Sequence, residues 1–317
     1  MCKFVPKFQE LRNGLVIKST GSSYRVLDQD NNIVDCSIKG KFRVRGITTT
    51  NPVAVGDNVI FETGDGTRGI IREILERKNY IIRKSTNLSK ESQIIAANID
   101  QALLMVTLRD PVTPEEFIDR FLVSAESFRI PVVILFNKTD IYSEAELDKM
   151  EWLSDVYMKI GYRCLGISLN RGEIHPELDV LVKERISLVA GNSGVGKSTL
   201  LNRLLPGIEI KTEEISDYHK QGKHTTTYAE MYDLPGGGYI IDTPGIKGFG
   251  LSGLVREEVY HFFPEIFNNA KKCRYYNCLH QEEPGCAVIA AVERGEIEGF
   301  RYRSYTNIIS DDNSKYR

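Results

Sequence analysis

The sequence predicts three architectures in succession: a small all-β barrel, an α/β domain built on a parallel sheet, and a mostly helical tail. Three observations predict them. Short alternating runs separated by turn residues fill the first 78 positions, apolar strands and amphipathic helices alternate from Ile81, and three cysteines and a histidine gather near the C-terminus. Boundaries are therefore expected at 1–78, 79–253 and 254–317. A length of 317 residues allows two or three domains, and 41% hydrophobic with 26% charged residues suits chains with buried cores. A net charge of −2 excludes a polycation, so any nucleic-acid contact must come from a local patch. No apolar run is long enough to span a bilayer, and Met1–Pro6 lacks the apolar core of a secretory signal. The scattered Cys2, Cys36 and Cys164 suit a reducing compartment. A cytoplasmic chain without membrane attachment is expected; no heptad or large apolar helix face argues for a coiled coil, and a monomer is expected.

In the first piece, strands are expected at Leu15–Ile17, Tyr24–Leu27, Ile33–Ile38, Val59–Phe61 and Ile70–Ile74, parted by turns such as Gly21–Ser23 and Asp30–Asn32. About five strands at this spacing suit an OB-fold. Residues 1–80 hold thirteen basic and nine acidic side chains, densest at Lys39–Arg45, where Phe42 is interleaved. Basic residues with an aromatic on a small barrel point to RNA binding; a solvated hairpin face is the plainer alternative.

The second piece opens with a core strand at Asp100–Thr107. Thr113-Pro114-Glu115-Glu116 predicts a helix start with Thr113 as cap and Pro114 as first helical residue, and with Phe117, Phe121 and Leu122 facing the core. Val132–Phe136 reads as a buried strand, Ser143–Ile160 as a helix with Ser143 and Glu146 in capping-box spacing, and Cys164–Ser168 as a short strand. A helix near Glu173–Val182 leads to a strand at Ile186–Ala190, and a further strand is expected at Gly238–Ile241. Repeated β–α–β units make a parallel sheet with helices on both faces.

Gly191-Asn192-Ser193-Gly194-Val195-Gly196-Lys197-Ser198-Thr199 matches G-x-x-x-x-G-K-[ST] between that strand and a helical run Thr199–Leu205. Strand, glycine loop and helix together make a phosphate cradle: glycines let backbone N–H groups turn inward, and the helix N-terminus adds partial positive charge. Lys197 is expected to reach the β- and γ-phosphates and Ser198 to hold Mg²⁺.

Asn137-Lys138-Thr139-Asp140 follows a strand and fits N-K-x-D. A carboxylate at Asp140 can accept from both N1–H and the exocyclic amine of guanine, a donor pair that adenine lacks, so GTP and GDP are the expected ligands. Asn137 is expected to pin the loop, and the Lys138 stem to lie over the ring. Ile167-Ser168-Leu169-Asn170 is the expected base loop, with Ser168 its contact. Asp242-Thr243-Pro244-Gly245 supplies a carboxylate for the Mg²⁺ shell and, at Gly245, an N–H for the γ-phosphate. Thr225 or Thr226, in Gln221–Thr227, completes the shell.

The order of these parts is cyclically shifted. N-K-x-D precedes the glycine loop here, whereas familiar small GTP-binding proteins place it after. A sheet accepts new termini when a surface loop joins the old ends. Ile246 stands where Ras-like proteins carry the glutamine that orients water, so intrinsic hydrolysis is expected to be slow. His224, beside the switch threonines, is the nearest polar candidate for that contact, against an exposed loop histidine.

Cys273, Cys278, His280 and Cys286 form C-x₄-C-x-H-x₅-C, the donor set of one closed, structural Zn²⁺ site in a tail too small for a large core. Lys271, Lys272 and Arg274 give it a basic edge. Helices are expected at Ala287–Arg294 and Arg301–Ile309, with a polar end at Ser310–Arg317.

Taken together, the barrel, N-K-T-D, G-N-S-G-V-G-K-S-T, G-K-H-T-T-T, D-T-P-G and the cysteine–histidine pattern resemble the circularly permuted RsgA-type GTPases over nearly the whole chain. The resemblance implies a cytoplasmic, ribosome-stimulated GTPase that binds the small ribosomal subunit and its rRNA late in assembly and leaves after hydrolysis. It also implies that His224 assists hydrolysis. Lys223 stands where the family often has arginine, and Ser168-Leu169 where Ser-Ala is common. Two alternatives predict different behaviour. An RNA-binding module stabilised by GTP would bind nucleotide without turning it over, and an ATP-dependent P-loop enzyme would be indifferent to Asp140.

Overall fold

The computed structural model describes residues 10–38, 52–63, 68–84, 92–171, 175–208, 229–242 and 254–310. The first five strands are β1 (Leu11–Ser19), β2 (Tyr24–Asp28), β3 (Ile33–Ile38), β4 (Asn58–Thr63) and β5 (Arg68–Ile74). They run in the order β1-β2-β3-β5-β4, with β4 returning to β1 to close a barrel, and only the β3–β5 pair is parallel. Alternation fills its interior: Val16, Tyr24, Val26, Cys36, Val59, Phe61 and Ile71 form one buried cluster. The five-strand OB-like barrel expected from the sequence is thus present, while Lys39–Arg45 lies outside the described residues.

A hairpin of β6 (Tyr80–Lys84) and β7 (Ser92–Ala97) follows. The α/β region then runs β8 (Gln101–Val106), α1 (Glu115–Ser127), β9 (Val132–Phe136), α2 (Glu144–Lys159), β10 (Arg163–Gly166), α3 (Pro176–Val182), β11 (Ile186–Gly191), α4 (Lys197–Leu204), β12 (Glu230–Asp233) and β13 (Tyr239–Asp242). Strands β10-β9-β8-β11-β13 are parallel and β12 is antiparallel at their edge. Such strands bury both faces. In β8, Ala102, Leu104 and Val106 join α1 in one cluster, and Leu103 and Met105 join α3 and α4 in another.

The two sheets are continuous: β1 pairs with β12 through Lys18↔Glu230, so barrel and parallel sheet share one eleven-stranded sheet. The C-terminal region holds α5 (Pro264–Ala270), α6 (Ala287–Glu293) and α7 (Gly299–Ser310). Val259, Phe263, Ile266, Val288, Tyr305 and Ile308 form its core, to which α1 contributes Val123.

Three local expectations are corrected. Thr113 does not cap α1. Its hydroxyl accepts the Thr107 N–H at 3.1 Å, and Pro114 occupies the cap position with no side-chain cap bond. The helix expected near Glu173 begins at Pro176, after His175, whose ring nitrogen accepts the Glu177 N–H at 3.3 Å. Helix α4 starts at Lys197 rather than Thr199. The capping box of α2 is formed as expected, with Ser143 N–H donating to Glu146 at 2.7 Å.

Candidate nucleotide site and metal centre

The glycine loop leaves the C-terminal end of β11 and enters α4, so its backbone lies at the edge where the parallel strands end. Two glycines are required by geometry. At Gly191 (φ +143°) a Cβ would stand 2.5 Å from the Met105 carbonyl, and at Gly196 (φ +103°) it would stand 2.4 Å from Asn137 Nδ2. The second contact shows how closely the N-K-x-D segment abuts the loop. Asn137, 2% exposed, donates from Nδ2 to the Val195 carbonyl at 2.8 Å, and its Oδ1 accepts the Leu169 N–H at 3.4 Å. One side chain therefore ties the glycine loop, the N-K-x-D segment and the loop at 167–170 together. Lys197 Nζ donates to the carbonyls of Gly191 and Asn192 at 2.9 and 2.6 Å, so its ammonium lies over the loop.

The other residues expected at the guanine base converge from two strand ends. Ser168 Oγ donates to Asp140 Oδ1 at 2.5 Å, although 28 positions separate them. Thr139 N–H donates to the Ile167 carbonyl at 3.2 Å, and Lys138 adopts φ +66° with Nζ on the Asp110 carbonyl. No sequence motif marks Tyr142. Its hydroxyl donates to the Asn137 carbonyl at 2.6 Å and accepts the Leu108 N–H at 2.8 Å, and burial pushes its phenol above the usual range. The signal available was an aromatic between the motif and the α2 cap.

Asp242 ends β13, in register with Val189 of β11 just before the loop. Its strand thus brings a carboxylate to the edge that carries Ser198. His224, Thr225, Thr226, Gly245 and Ile246 lie outside the described residues.

Cys273, Cys278, His280 and Cys286 are gathered as expected, with one ligand atom from each lying within 4.8 Å of the others. Cys273 and Cys286 sulfurs both lie 3.5 Å from His280 Nδ1 and 3.9 Å from each other. Such spacings leave room for a single ion at thiolate and imidazole bond lengths, and three sulfurs with one imidazole suit a tetrahedral metal. Burial pushes the Cys278 thiol up to about 12 and the imidazole of His280 down. The cluster could hold one metal ion. Tyr302 and Tyr305 hydroxyls donate to the His280 and Leu279 carbonyls, each at 2.7 Å, and fix the ligand loop to α7.

Among known proteins, family models for the RsgA GTPase and the RsgA N-terminal domain match residues 74–252 and 13–71. The chain belongs to the RsgA family. It is 55% identical over 306 residues to the small ribosomal subunit biogenesis GTPase RsgA of Bacteroides fragilis, covering 96% of this chain and 98% of that one. RsgA 2 of Bacteroides thetaiotaomicron is 53% identical over the same share of each chain. Among solved structures, YjeQ from Thermotoga maritima matches with TM-score 0.77 and 34% identity over 95% of this chain and 98% of that one. YloQ, described as a circularly permuted GTPase, matches with TM-score 0.74 and 29% identity over 96% of each. The RsgA fold explains the shifted motif order, and as an RsgA-family GTPase the chain hydrolyses GTP. Among the described residues no helix is long and apolar enough to cross a membrane.

Proposed function

We propose that this GTPase acts in the cytoplasm, as a monomer, in late maturation of the small ribosomal subunit, binding the subunit and its rRNA and hydrolysing GTP faster when bound. The observation that carries the proposal is the 55% identity, over 96% of the chain, to a relative named for small-subunit biogenesis. The division of labour follows the sequence boundaries: an RNA-binding barrel at 1–78, a permuted GTPase domain at 79–253 and a zinc-binding domain at 254–317. The two matched family segments, 13–71 and 74–252, support the first boundary.

Within the GTPase domain, Gly191–Thr199 cradles the phosphates, and Asp140 reads guanine while Ser168 holds its carboxylate in place. Ser198 and Asp242, brought to one sheet edge, would hold Mg²⁺ with Thr225 or Thr226, and the ion would neutralise charge on the β- and γ-phosphates. Gly245 senses the γ-phosphate. With Ile246 unable to orient water, His224 supplies that contact when the ribosome positions it. In the C-terminal region Cys273, Cys278, His280 and Cys286 would hold Zn²⁺ as a structural ion, a reading their clustered donor atoms support. The test is co-sedimentation with purified small subunits. Binding should be tighter with a non-hydrolysable GTP analogue than with GDP, and equal, weak binding in both states would refute the proposal.

A further inference from the structure

The sheet register adds a second carboxylate beside the nucleotide end of β13. Lys18, Glu230, Asp242 and Val189 stand in one row of directly paired residues across β1, β12, β13 and β11. Opposed residues on antiparallel strands present their side chains on the same face, with Cβ atoms ~5 Å apart. Glu230 and Asp242 thus place two acids side by side, which repulsion disfavours unless one is compensated. Lys18 compensates Glu230: its Nζ donates to Oε1 at 2.9 Å, and the Tyr232 hydroxyl donates to Oε2 at 3.3 Å. The ion pair is partly shielded, with side chains 32% and 24% exposed. Burial first, and then the charges of Glu230 and Asp242, push the Tyr232 phenol up to about 12, so it remains a donor.

We infer that the Lys18–Glu230 pair, which joins the first barrel strand to β12, sets how much negative charge surrounds the Asp242 metal position. The inference rests on the proposed role of Asp242 in the Mg²⁺ shell. Both Glu230 oxygens are engaged by Lys18 and Tyr232, so Glu230 acts through its charge and not as a ligand. The described pairing of β1 with β12 is that one residue pair. A partner that draws the barrel strand away would bare Glu230 and deepen the negative potential at Asp242. The barrel thereby has an electrical handle on the nucleotide site.

The test uses the full chain loaded with fluorescent GDP, and follows nucleotide release while Mg²⁺ is titrated. Lys18→Met leaves Glu230 uncompensated and should lower the Mg²⁺ midpoint roughly three- to tenfold, whereas Glu230→Gln should raise it by a similar factor. The double variant should return towards the wild type. Opposite signs are the diagnostic, because mere loosening of the joint would move both variants the same way. Midpoints that match the wild type, or shift together, overturn the inference. Asp242→Asn separates the two layers. If it raises the midpoint while Lys18→Met and Glu230→Gln do nothing, only this inference fails. If it too changes nothing, the metal role of Asp242 fails and the inference falls with it.

Discussion

Arg301 on α7 donates through Nη1 to Asp119 on α1 at 2.6 Å, and the two side chains are 1% and 0% exposed. Arg301 Nε reaches Glu265 of α5 at 2.7 Å, Tyr157 of α2 donates to the same Asp119 oxygen at 2.9 Å, and the guanidinium lies 4.6 Å from the Phe263 ring centroid. This node fastens the C-terminal helices to the helical layer over the parallel sheet. Arg301→Ala would strand two buried acids, and a loss of about 3–5 kcal/mol is expected. Urea denaturation followed by circular dichroism reads it directly, and a midpoint equal to the wild type would show that the node is not structural.

Ser168→Ala deletes the bond that aims Asp140. A hydrogen bond to a charged acceptor is worth about 1.5–3 kcal/mol, so GDP affinity should weaken roughly ten- to a hundredfold. ATP affinity should not change. Fluorescent-nucleotide titration distinguishes this from general unfolding, which would leave no specific binding to weaken.

Chelation should release one metal ion per chain and lower the melting temperature of the C-terminal helices, because the ligand loop and α7 share the core around Tyr305. Cys278→Ser should do the same without chelator. Elemental analysis of the purified chain checks the stoichiometry, and a metal content near zero at full stability would contradict the structural role.

Glu146 caps α2, and its acceptance of the Ser143 N–H holds its carboxyl below the ordinary range. A lowered folded value means that its stabilisation is complete above the unfolded pKa of about 4.3 and is lost as pH falls through the folded value. Wild type and Glu146→Ala should therefore differ at neutral pH and converge in acid as the pH falls through the lowered folded value. Thermal melts across that window test it.

Legibility in the sequence depended on how local the cause was. Val132–Phe136 is apolar at every position because both faces of its strand are buried, and a run of that kind needs no partner to be recognised. The cysteine–histidine cluster is likewise set by short spacing. Thr113 misled because its hydroxyl bonds back to Thr107 in the preceding loop, a competitor for capping that spacing does not reveal. Arg301 sits in an Arg-Tyr-Arg run that looks solvated, and its burial is decided by Asp119, 182 positions earlier. The strand pairing that joins barrel to parallel sheet is Lys18 with Glu230, 212 positions apart, which no local pattern signals.

We propose a GTPase whose turnover depends on the small ribosomal subunit. The most direct measurement is the rate of GTP hydrolysis by the purified chain, alone and with purified small subunits. Slow turnover alone and a large increase with subunits is the predicted result. An unchanged rate with saturating subunits would contradict the claim.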